Sequence, residues 1–355
     1  AVAGVALSDV VWQRRYARLL TWEAETLRVL GQLEAALVTA QRQWPLGSAP
    51  LPRRLCQQAR VLRSLGRLSQ AAALATAARQ SACTSFDSVV AALELASIHL
   101  LSGDPALSQV HLLDASTELR AEGAQLGSGL EALDLSVWVQ KVWARRALYL
   151  GHHERARAFL EYCRACAEER HSELDSAQCD VFLAELLRRE RNYEAAGQAL
   201  HRALATAGRI GDVETLIHGG LVQGRLRLDT GHLDSAAAAI GPALGLCTEH
   251  GFGTFRIDLL VCRGALHLRR GDAVTAERDG RDALAYAGAP GCGYLWGEAD
   301  ALHLLATVLI AGRPALSSPR HAEAVAHLSD ELELRERMSD STAPEVRWLL
   351  RRLRP

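Results

Sequence analysis

Three consecutive segments of this chain repeat one pattern at an interval of 40 residues, and that interval limits the fold more than any other feature. Between Ala184 and Gly291 a small residue (Ala184, Gly224, Gly264) is followed seven places later by Arg191, Gly231 or Gly271, which open the runs RNYEAA, GHLDSA and GDAVTA. Each run closes on an alanine, Ala196, Ala236 or Ala276, and Ala203-Leu204, Ala243-Leu244 and Ala283-Leu284 keep the step, as do Gly211, Gly251 and Gly291. Self-similarity at this spacing marks an array in which each unit packs only on its neighbours, so 355 residues need not divide into two domains.

The register extends in both directions. Gly31 opens GQLEAAL, Gly66 opens GRLSQAA and Gly151 opens GHHERARAFL, with Ala36, Ala71 and Ala156 five places on; Gly103 is a further member with Ser108 at the alanine place, and Gly312 fits after an insertion. The pattern predicts eight helical hairpins. In each, a first helix ends at a glycine able to take positive φ, and a second helix follows. Small residues before and after the turn let the two helices approach closely, while Leu160, Leu200 and Ile240 fill the space between hairpins.

Composition agrees. Alanine, leucine and arginine dominate, with few β-branched runs, which favours helix throughout. The basic residues are 39 arginines and the single Lys141, yet the formal net charge is −1, which argues against nucleic acid or anionic membrane as a partner. Eight cysteines scattered along a long chain read as free thiols in a reducing compartment. No apolar run approaches the roughly 20 residues that span a bilayer. The opening AVAGVAL lacks the charge and length of a signal peptide, so a cytoplasmic location is expected. With no initiator methionine, Ala1 is expected to begin a fragment of a longer polypeptide or to follow processing.

The small residue, the Gly-x-(Leu or Tyr)-x-x-Ala turn seven places later and the following Ala-Leu pair resemble the tetratricopeptide repeat, in the longer variety of about 40 residues found in MalT-like and other STAND-type sensor arrays. The resemblance covers Trp12 to Met338 and implies an all-α, right-handed solenoid. The array is expected over residues 1–342, irregular over 104–135 and with a loop insertion at 313–320; residues 343–355 form a short amphipathic helix that caps its open end. WPLGSAPLP (Trp44 to Pro52) reads as a proline-rich turn, and AEGAQLGSGLEA (Ala121 to Ala132) as a lengthened loop.

Candidate chemistry is sparse. Lys141 lies in a helical context without a preceding glycine loop, so phosphate-loop ATP hydrolysis is excluded for this chain. Cys163, Cys166, His171 and Cys179 are residue types of a zinc site, but Cys163 falls on the column of Ala203, Ala243 and Ala283, where a small buried side chain is wanted; no metal is expected. His218-Gly219-Gly220 and Gly291-Cys292-Gly293 have the residue types of a cysteine hydrolase of the caspase kind, but they occupy a helix start and a repeated turn.

What remains is a surface. In the repeat family, residues 13, 10, 6 and 3 places before the turn line the concave face. Here these include Arg18, Glu25 and Arg28, and a ligand-groove set of Arg53, Arg60, Arg63, Trp138, Lys141, Arg145, Gln178, Glu185, Arg188, His218 and Arg225, with Leu148, Leu221 and Leu228. The first half of this set is basic around Trp138, which suits an acidic peptide or phosphorylated ligand held by arginine forks. The equally simple reading is that arginine is this chain's default polar residue. Val261, Ala265, Leu268, Leu302, Ala306 and Leu309, at the same places in the last two hairpins, read as core. The expectation is a non-catalytic interaction or ligand-sensing module without a cofactor, the sensor part of a larger bacterial signalling protein whose ATPase and effector parts lie elsewhere. The alternatives are a free-standing adaptor that binds a partner peptide or helix and, from a different class, a cysteine hydrolase.

Overall fold

The computed structural model describes residues 10–42, 52–122 and 130–353, with the side chains of 10–18, 122 and 130–134 excepted. Trp44 to Leu51 and 123–129, the bulk of the proline-rich turn and of the lengthened loop, lie outside the described residues, as do Ala1 and the side chains of Trp12 and Arg18.

Among the described residues there are 17 helices and no strands. Eight hairpins follow one another: α1 (Val10–Val29) with α2 (Leu33–Gln41), α3 (Pro52–Ser64) with α4 (Leu68–Gln80), α5 (Ser85–Leu101) with α6 (Pro105–Glu122), α7 (Leu130–Tyr149) with α8 (His153–Glu169), α9 (Glu173–Arg189) with α10 (Tyr193–Ile210), α11 (Val213–Asp229) with α12 (Leu233–His250), α13 (Gly253–Arg269) with α14 (Ala273–Ala287), and α15 (Leu295–Ala311) with α16 (Pro319–Arg337). A final helix, α17 (Ala343–Leu353), packs on α16.

The repeat columns explain each hairpin. Gly31, Gly66, Gly103, Gly151, Gly231 and Gly271 all take φ between 72° and 83°. Arg191 occupies the same place at φ 62°, at the cost of about 1 kcal/mol that a left-handed non-glycine residue carries. One turn departs from the sequence register: Gly312 caps α15 at φ −70°, and the left-handed residue is Arg313, at φ 48°. The alanines five places after each turn are fully buried. A Cβ added to Gly224 would lie 2.6 Å from Ile240, and one added to Gly264 2.4 Å from Leu304, so the small column is a steric requirement. Between hairpins the reverse turns use Gly211 (φ 75°) and Gly251 (φ 78°) as C-caps, and Asp212 and Ser172 accept hydrogen bonds from the first turns of α11 and α9.

The hairpins also close on themselves. The turns of the first four come back onto the last ones: Gly31 faces His250 and Val213, Gly66 lies against Gly253, Gly103 against Leu295 and Met338, and Gly151 against Ser341. Ser69 N–H donates to the Gly291 carbonyl (3.1 Å), and the Trp296 indole N–H to the Leu100 carbonyl (2.7 Å). A single apolar cluster consequently joins Leu33 and Leu62 near the start of the chain to Phe252, Trp296 and Met338 near its end.

Candidate functional site

Closure turns the concave face into a central cavity of about 1130 Å³, adjoined by a second of about 420 Å³. Of the eleven residues in the ligand-groove set, Arg60, Arg63, Trp138, Lys141, Arg145, Gln178, Glu185, Arg188, His218 and Arg225 line one or both. Arg53 does not. It stacks on Phe86 (4.2 Å from guanidinium carbon to ring centre) and pairs with Asp87 at 2.7 Å. Helical geometry places the rest, since residues 13, 6 and 3 places before a turn share one face.

Reasoning from columns missed a further turn of the same face. Leu174 and Asp175, Glu214 and Thr215, and Thr254 and Phe255 lie 17 and 16 places before Arg191, Gly231 and Gly271, and all line the interior. Extending the face by one helical turn would have found them. Asp258, thirteen places before Gly271, was also legible. Asp300 lies thirteen places before Arg313, in the column of Asp258, and was hidden by the one-residue shift of the last turn; by contrast, Tyr294, Glu331, Arg335 and the α17 residues Val346, Trp348 and Leu349 line the larger cavity through the closure and carry no repeat signal.

These additions change the electrostatics. Six arginines and seven carboxylates line the larger cavity, so it is amphoteric where the sequence suggested a basic groove. Arg60 donates to the fully buried Glu94 and stacks over Trp138 at 4.4 Å. Lys141 is held by Asp175 (2.6 Å) and Gln178 (3.1 Å). Glu185 accepts from Arg188 (2.9 Å) and Arg189 (2.7 Å); burial alone would raise its carboxyl, but these two guanidinium groups hold it well below the usual carboxylate range. Arg28 joins Glu25 to Glu214 across the closure. Arg335 bonds Glu331 (2.6 Å), Asp340 (2.5 Å) and Asp300 (2.8 Å).

Two groups have shifts of opposite consequence. Burial raises Asp258 to about 6, against the pull of Arg225 at 3.8 Å and the Tyr294 hydroxyl donating at 3.0 Å, with Asp300 adding to the rise. Burial lowers His218 to about 4, helped by Arg145 and Arg225; the ring lies between Phe182 (5.0 Å) and Phe255 (5.3 Å).

The other sequence candidates fall outside this interior. Cys163, Cys166 and Cys179 form a small buried cluster with Val137, and His171 is the left-handed residue (φ 53°) of the turn column shared by Gly211 and Gly251. Cys292 is buried in the turn before α15, where burial raises its thiol, the opposite of what a nucleophile needs. Leu302, Ala306 and Leu309 are core, and Val261, Ala265 and Leu268 pack against Leu304 and Val308. All eight cysteines are free.

Neither a protein-family model nor a curated protein sequence matches this chain. Solved structures do. A Rap protein complexed with competence and sporulation factor superposes with a TM-score of 0.61 at 13% identity, over 96% of this chain and 99% of that one. The fold is a tetratricopeptide-repeat solenoid. A signal-transduction ATPase with numerous domains and a tetratricopeptide repeat sensor, from Pyrococcus horikoshii, gives a TM-score of 0.51 at 14% identity over 89% of this chain and 50% of that one. Among the described residues no helix of this solenoid is long and apolar enough to cross a membrane.

Proposed function

We propose that this solenoid is a non-catalytic sensor whose interior binds a short peptide, and that occupancy shifts its closure to control an effector in the same or a larger bacterial signalling assembly in the cytoplasm. The observation that carries the reading is the interior itself: a cavity of about 1130 Å³, lined by both charges and aromatic rings, inside a superhelix whose ends touch. Such mixed lining suits an extended ligand with polar backbone and varied side chains. The likeness to a Rap protein bound to its factor, and to the repeat sensor of a signalling ATPase, supports the same reading. Trp138 and Arg60 would hold one end of the ligand and Glu185, Arg188 and Arg225 the other, with no cofactor.

The test incubates the chain with a pool of random pentapeptides, recovers the protein by size exclusion and identifies retained peptides by mass spectrometry. Retention of a defined subset, lost in Trp138→Ala, is the expected result. A chain that retains no pentapeptide but forms a stoichiometric complex with a partner protein whose peptide or helix it holds in the groove is an adaptor instead.

A further inference from the structure

The cysteine cluster of α8 and α9 has a geometry of its own. Cys163 on α8 and Cys179 on α9 lie eight places either side of His171, the left-handed turn residue between the two helices, so they stand opposite one another across the antiparallel pair. Both are buried in one small cluster with Cys166 and Val137. One hairpin on, the same two places about Gly211 hold Ala203 and Gly219, and a Cβ added to Gly219 would lie 2.6 Å from the Leu204 side chain, so helices approach closely at this level. The two thiols are within hydrogen-bond reach and are not equivalent. Donation from Cys163 toward the Cys179 sulfur raises the Cys163 thiol, as burial does, and lowers that of Cys179. Cys163 Sγ also stands 3.6 Å from the Val137 carbonyl oxygen. The chain's only lysine, Lys141 on α7, adds to the lowering of Cys179, opposed by burial and by Asp175 and Asp180 on α9.

We propose that Cys163 and Cys179 are a site of oxidative modification, a thiol pair that hydrogen peroxide converts reversibly to a disulfide joining α8 to α9. The Cys179 thiolate attacks one peroxide oxygen, the O–O bond breaks, and the departing hydroxide takes up the proton that the Cys179 thiol gave up, leaving Cys179 as a sulfenic acid. The Cys163 sulfur then attacks the Cys179 sulfur, the S–O bond breaks, and the second hydroxide leaves with the Cys163 proton as water. Each sulfur gives up one electron and the peroxide accepts two, so two thiols and one peroxide yield one disulfide and two waters. The asymmetry of the pair suits these parts, since the attacking group must be a thiolate and the resolving one need lose its proton only as it bonds. Cys166, one helical turn from Cys163, is the least buried of the three and marks the side from which a molecule as small as peroxide reaches them. The disulfide pins α8 to α9 beside Lys141 and Gln178 of the smaller cavity, and its formation does not depend on the peptide reading above.

The experiment treats the fully reduced chain with hydrogen peroxide, blocks the remaining thiols with N-ethylmaleimide in urea, digests with trypsin without reduction and identifies the peptides by mass spectrometry. Cleavage after Arg164 puts Cys163 and Cys166 in different peptides, so the linked residue is read directly. A Cys163–Cys179 pair should appear before the exposed Cys83 is oxidised, and dithiothreitol should restore both thiols. Cys163→Ala installs the residue that the same column carries at Ala203, Ala243 and Ala283, so the fold should survive; it should abolish the link and leave Cys179 as a sulfenic acid that dimedone traps. Lys141→Gln should slow linking about threefold or more relative to Cys83, because the thiolate loses its cation. Oxidation of Cys83 while Cys163 and Cys179 both remain open to alkylation, or a link from Cys179 to Cys166 in place of Cys163, overturns the site.

Discussion

At the scale of single residues, Asp258 and His218 oppose one another. The folded chain holds Asp258 protonated up to about pH 6, well above the ordinary aspartate value, so between about pH 4 and 6 the folded state binds more protons than the unfolded one and Asp258 makes stability fall as pH rises. The shift of about two units sets a ceiling of ~3 kcal/mol on this effect. His218, lowered to about 4, binds fewer protons when folded, so over pH 4 to 6.5 it makes stability rise with pH. Asp258→Asn should therefore steepen the rise of the urea midpoint between pH 4 and 6, and His218→Asn should flatten or reverse it. Parallel profiles for both variants and the parent would show that neither group is held as described.

At the scale of helices and turns, glycine plays two separable parts. Gly253 opens α13, and a Cβ there would meet the Leu65 carbonyl oxygen at 2.4 Å and Gly66 Cα at 3.0 Å, both backbone atoms with no freedom to yield. Gly197 and Gly245 lie inside α10 and α12 with nothing within 4 Å of an added Cβ. Gly253→Ala should lower stability by about 2 kcal/mol despite alanine's better helix propensity. Gly197→Ala and Gly245→Ala should each raise it by ~1 kcal/mol. Thermal unfolding of the three variants checks this, and a stable Gly253→Ala would mean that the two turns do not touch. Neither role had a sequence signal; the repeated columns did. The columns at Gly31, Gly231 and Ala236 were legible because every hairpin must solve the same local problem of tight helix approach. Arg313 was not, because any residue can occupy a left-handed turn at modest cost, and Gly253 was not, because its partner is nearly two hundred residues away.

At the scale of the whole molecule, the decisive property is curvature, which a repeat leaves unwritten: it accumulates from small rotations between hairpins, and no single residue encodes it. That is why the lining contributed by α3, α7, α9 and α11 was readable from the register while Tyr294, Glu331 and α17 were not. The seam where the ends meet is held at one point above others. The Trp296 indole donates to the Leu100 carbonyl at 2.7 Å, its ring lies 4.6 Å from that of Tyr149, and the Tyr149 and Tyr294 hydroxyls stand 3.4 Å apart, so α15 is fastened to α5 and α7. Trp296→Phe keeps a ring but loses the indole hydrogen bond to the Leu100 carbonyl, which still accepts from Gly103 N–H, and should cost about 1 kcal/mol. Trp296→Ala also opens a cavity in the seam and should cost about 3 kcal/mol or more. If closure is what ligand occupancy controls, Trp296→Ala should raise the radius of gyration measured by small-angle X-ray scattering and speed amide exchange in α5 and α15 while leaving α9 and α10, which lie away from the seam, unchanged. Uniform acceleration of exchange throughout would instead mean that the hairpins unfold as one body and that the seam is no hinge.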